Sequence, residues 1–141
     1  MSFTTWSGPI RSENGFYEPV TYIFATDVVG GEVNISASGN YVLLSPADGG
    51  PATTATLVLP LVAGGDFDLD NQPADEEYNG AKGSVLNYGA VAHELAGSSS
   101  QKVNGSTTGV VIPAGYAVQW GGNGNKAAPW AAVNLVLSTA V

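Results

Sequence analysis

The chain has no cysteine, one histidine, one methionine and only four basic residues. Without cysteine there are no disulfide staples, thiolate-metal sites or thiol nucleophiles, and the redox compartment is left open. Arg11, Lys82, Lys102 and Lys126 are scattered along the sequence. Displacing counterions from a phosphate backbone needs clustered cations, so direct nucleic-acid binding is not expected. Long apolar runs are missing too: nothing approaches the ~18 residues of a membrane span. The start, Met1-Ser2-Phe3-Thr4-Thr5-Trp6, has neither the basic opening nor the apolar stretch of a secretion signal. No membrane partner is expected, and the protein is read as soluble and made in the cytoplasm. Asn34 and Asn104 each begin an Asn-x-Ser sequon, which matters only in a secreted eukaryotic protein.

Catalytic signatures are equally scarce. There is no Gly-x-Ser-x-Gly elbow, no His-Glu-x-x-His helix and no Gly-x-x-x-x-Gly-Lys phosphate loop. The single histidine, His93, lies in Val91-Ala92-His93-Glu94-Leu95. On a strand His93 and Leu95 share one face and Glu94 takes the other, so His93 and Glu94 make a poor acid-base pair and a packed or surface histidine is expected. The chain is therefore read as non-enzymatic. A glycosidase remains an alternative, since its two carboxylates need to meet in space rather than in sequence.

What the chain does have is turn chemistry and apolar alternation. Its 141 residues suit one domain; 44% are hydrophobic, 11% are charged, and there are 19 Gly and 8 Pro. Twelve acidic residues give a net charge of -8, which favours solubility and tolerates an exterior position on a larger particle. Residues 1–18 mix isolated apolar residues with Gly8-Pro9 and Asn14-Gly15 and read as an extended N-terminal arm. Its Phe3, Trp6, Ile10 and Phe16 call for cover, either on the chain's own domain or on a neighbour.

From Val20 onward, strands are expected at Val20 to Ala25, Glu32 to Ala37, Tyr41 to Leu44 and Thr53 to Val62. After an acidic loop from Gly64 to Gly83 come Ser84 to Tyr88, Val91 to Leu95, Thr108 to Ile112, Tyr116 to Trp120 and Ala131 to Leu137. Val33 and Ile35 alternate with Asn34 and Ser36, and Thr54, Thr56 and Val58 alternate with Ala55, Leu57 and Leu59, the period of two of a half-buried strand. The short helical candidate from Ala90 to Ala96 is bounded by Gly89 and Gly97 and is read as strand. Short strands with turns about every ten residues predict an all-β domain over 19–141, a β-sandwich or barrel of jelly-roll-like form.

One local motif points to a ligand. Asp66, Asp68, Asp70 and Glu77 have the spacing of a calcium loop, with Glu77 at position twelve. Asn71 stands where that loop wants Gly, and Pro73 where it wants a backbone donor. The expectation is a solvated acidic loop and no cofactor, with calcium as the lesser alternative. Tyr116, Trp120 and Trp130 could stack on sugar rings, but Tyr116, Val118 and Trp120 alternate along one strand face and fit a core or a subunit interface better.

Two regions resemble small structural proteins of tailed bacteriophages, especially head decoration (cement) proteins. Trp6-Ser7-Gly8-Pro9-Ile10 with Asn14-Gly15-Phe16 is similar to the openings of such proteins, and Thr56-Leu57-Val58-Leu59-Pro60 resembles a strand-ending segment in them. The block Val111-Ile112-Pro113-Ala114-Gly115-Tyr116-Ala117-Val118-Gln119-Trp120, followed by Gly122-Asn123-Gly124 and Pro129-Trp130, looks like a pattern of phage particle β-domains. The resemblance implies a virion protein on the capsid exterior. It would bind the major capsid protein as a homotrimer at three-fold or quasi-three-fold positions, with Phe3, Trp6, Ile10 and Phe16 in contact. A tail fibre, spike or other carbohydrate-binding virion module is the alternative, and a free-standing hydrolase or calcium-dependent lectin ranks below both.

Overall fold

The computed structural model describes residues 19–62, 80–123 and 128–136. The expected arm, with Phe3, Trp6, Ile10 and Phe16, and the calcium candidates Asp66, Asp68, Asp70 and Glu77 lie outside the described residues. Nine strands form: β1 (Val20–Ile23), β2 (Glu32–Asn34), β3 (Gly39–Leu43), β4 (Thr56–Leu59), β5 (Lys82–Asn87), β6 (His93–Gly97), β7 (Val110–Ile112), β8 (Tyr116–Gly122) and β9 (Trp130–Val136). Helix among the described residues is limited to three single 3₁₀ turns.

The period of two sets the inner face of each strand. In β4, Leu57 and Leu59 are fully buried while Thr56 and Val58 remain half-buried outside. In β8, Val118 and Trp120 are buried and Gln119 is exposed. Ile23, Leu43, Val85, Val118 and Trp120 meet Ile35, Leu57, Leu59, Leu95 and Ile112 in one cluster, so a single core lies between two sheets. Each such aliphatic side chain contributes about 1.5–3 kcal/mol when fully buried.

The order of the strands differs from the expectation. The five-stranded sheet runs β1-β3-β5-β8-β9 and the four-stranded sheet β2-β4-β6-β7. β1, β3 and β5 are parallel, as are β2, β4 and β6, and only β7, β8 and β9 pair antiparallel. The sheets do not close into a barrel, and this pairing departs from the antiparallel order of a jelly roll. A parallel link needs a dozen or more residues, whereas the turn signals fall closer together. The chain meets both conditions by crossing to the opposite sheet at every step from β1 to β6, so each parallel link contains a strand of the other layer. Val20 pairs with Asn40, twenty residues further on, and Glu32 with Thr56, twenty-four further on. The result is three stacked coils, finished by β7 to β9.

A turn forms at Pro113-Ala114-Gly115. Gly115 has φ +82° and Tyr116 N donates to Pro113 O at 3.1 Å. β8 and β9 make an antiparallel pair closed by Asn123 N donating to Pro129 O at 2.9 Å.

Candidate functional site

The two outer faces of the sandwich differ in chemistry. Register across the five-stranded sheet aligns Tyr22, Val42, Leu86, Ala117 and Leu135 in one outward row. The neighbouring row is Val20, Asn40, Ser84, Gln119 and Val133. Neither row holds a charged residue. Tyr22 is 53% exposed, Val133 58% and Leu135 44%, while Val42 and Ala117 are buried without joining the core cluster. Val20, Tyr22, Val42, Leu44, Leu86 and Tyr88 line a groove of about 530 Å³ along this face, with Ser45 and Asp48 at its polar part.

On the four-stranded sheet the matching outer row is Glu32, Thr56, Glu94 and Val111. Two carboxylates flank a threonine, and Thr56 Oγ1 lies 3.4 Å from Glu94 Oε2. A largely apolar surface whose strands carry one charge, Lys82, on one side and an acidic polar surface on the other give the molecule one face suited to dry contact.

Comparison with family models, curated proteins and solved structures finds no match to this chain.

The aromatic residues proposed for sugar stacking are placed elsewhere. Trp120 and Trp130 are only 3% and 2% exposed, so neither offers an open ring, and Tyr116 is half-buried. Trp120 Nε1 donates to Ala37 O at 2.8 Å, its ring lies 6.2 Å from that of Tyr41, and the Tyr41 hydroxyl accepts from Ser36 N at 2.8 Å. These polar handles tie residues 36–37 to the five-stranded sheet.

His93 points into the core beside Leu95, and Glu94 points out, as the alternation requires. Its Nδ1 accepts from Ala55 N at 3.0 Å, which assigns the proton of the neutral ring to Nε2, an atom without a hydrogen-bond partner. Burial lowers the His93 pKa from its ordinary value. Among the described residues no three His, Asp or Glu side chains come together as metal ligands.

The unfolded chain takes up a proton on His93 near pH 6.5 while the folded chain resists until a lower pH. Stability contributed by the neutral ring is thus complete above 6.5 and lost as pH falls below it, by at most about 1.4 kcal/mol per pH unit from one site. H93N keeps an acceptor for Ala55 N and does not titrate. Urea unfolding at pH 7.5 and 5.5 should show the parent losing ground to H93N at the lower pH; an unchanged difference would contradict a buried neutral histidine.

The outer row escapes a residue-by-residue reading, because its members come from five strands spread over more than a hundred residues. One signal was legible: Tyr41-Val42-Leu43-Leu44 is apolar without alternation, the mark of a strand covered on both faces.

Proposed function

We propose that this chain is a non-enzymatic virion structural protein that docks on the exterior of an assembled phage capsid and stabilises the shell by bridging neighbouring capsid subunits. The observation that carries this reading is the outer face of the five-stranded sheet, whose rows from Val20 to Val133 and from Tyr22 to Leu135 hold no charge, with Lys82 the one charge in the row beside them, on a chain of net charge -8. The resemblance of the 6–16 and 56–60 segments to decoration proteins gives the face its partner, the major capsid protein. In this reading the copies assemble as homotrimers, and Phe3, Trp6, Ile10 and Phe16 reach neighbouring subunits.

The action is mechanical. A ligand that binds only the assembled shell stabilises it in proportion to the logarithm of its concentration over Kd. Joining a sheet face and an arm in one chain, and chains in a trimer, raises the effective concentration of each contact. No bond need be made or broken.

Co-sedimentation with shells assembled from the major capsid protein tests the proposal. The intact chain should pellet with the shells. Deletion of residues 2–16 should abolish pelleting while the circular dichroism of the β-domain persists. An intact chain that stays in the supernatant contradicts the proposal; full pelleting of the deletion variant removes the arm from it.

A further inference from the structure

β9 carries neither charge nor proline over its seven residues, the composition of a sheet edge that recruits further strands. One side of β9 is paired with β8 along its whole length. On the other side lies the 102–104 segment. Trp130 N donates to Lys102 O at 3.4 Å, Asn104 N donates to Trp130 O at 3.0 Å, and Val103 bridges Trp130 in parallel. The main chain then leaves the edge through Asn104 and Gly105, with φ of +52° and +76°.

Where the main chain departs, the Asn104 side chain continues. Its Oδ1 accepts from Ala132 N at 2.8 Å and its Nδ2 donates to Ala132 O at 2.8 Å. A partner strand would make the same two kinds of bond with Ala132. We infer that Asn104 is an edge guard, whose carboxamide stands in for the main chain of a sixth strand and keeps β9 from pairing with a β-strand of a second copy.

The residue type fits this role closely. Asparagine is among the few side chains that tolerate positive φ, and its amide supplies one donor and one acceptor at the reach required. Aspartate would face Ala132 O with a second oxygen, and glycine would keep the backbone turn but leave the edge bare. The Nδ2 of this Asn-Gly-Ser sequon is thereby engaged within the chain.

N104G is the direct test, because it removes only the side chain at a position where glycine is comfortable. Hydrogen exchange read by NMR should find the Ala132 amide about tenfold faster, the ratio sustained by one hydrogen bond of ordinary net strength, with the Val85 and Val118 amides unchanged. Light scattering should find a mean mass that climbs with concentration above that of the intact chain. Adding A132P, which removes the edge-facing N–H, should return the mass to that of the intact chain. Should N104G lose its fold, N104S, whose shorter side chain does not reach both Ala132 atoms and whose residue type adopts positive φ at Ser99 and Ser100, must show the faster Ala132 exchange. Unchanged exchange at Ala132, or a mass equal to that of the intact chain at every concentration, overturns the guard. Capsid pelleting is a separate readout, so failure here is distinguishable from failure of the capsid proposal.

Discussion

L86K should weaken shell binding by about a hundredfold or more, while V58K leaves it unchanged. Leu86 lies at the middle of the outward row of the five-stranded sheet, between Val42 and Ala117. A charge placed there would be desolvated without a partner on docking, a cost of about 3 kcal/mol or more. Val58 occupies an equivalent half-buried outward position on the four-stranded sheet, so V58K introduces the same charge and a similar packing loss on the face not expected to dock. Affinity for capsid shells, with circular dichroism as the folding control, separates the two. Equal loss in both variants would indicate general destabilisation, and loss in V58K alone would move the docking face to the other sheet.

G83A should destabilise the fold by about 3–5 kcal/mol in urea unfolding. Gly83 pairs with Trp120 across β5 and β8, and the indole lies over the glycine where a side chain would stand. A methyl group at 83 would sit 2.0 Å from Trp120 Cζ2 and 2.3 Å from Cε2, so the ring must move. Overpacking of this kind costs about 1–3 kcal/mol. The displaced Nε1 would also release Ala37 O, and a buried group left unpaired costs about 1–3 kcal/mol more. Against a typical total of about 5–15 kcal/mol this is a large fraction. The double variant G83A/W120L should recover part of the loss by removing the clashing ring. A cost below about 1 kcal/mol for G83A would mean that the indole does not lock the sheet as described.

Local structure was legible in the sequence, and long-range order was not. Alternation in Thr54 to Leu59 and in Tyr116 to Trp120 assigned the inner faces correctly, since a strand's period of two is a property of neighbouring residues alone. The opposite placements of His93 and Glu94 follow from the same rule. Parallel pairing is different, because nothing within Val20–Ile23 specifies Asn40 to Leu43 as its partner in preference to the nearer β2. Turns about ten residues apart fit a hairpin and a sheet-to-sheet crossing equally well, hence the jelly-roll expectation. The outer row depends on that pairing, and so does the Asn104 contact with Ala132, which spans 28 residues of sequence.

Hydroxyl-radical footprinting of the chain, free and bound to capsid shells, tests the docking face most directly. The account predicts that Tyr22, Leu86, Val133 and Leu135 become protected on binding while Val58 and Val111 oxidise as before. Protection confined to Val58 and Val111, or no protection on either sheet, would contradict it.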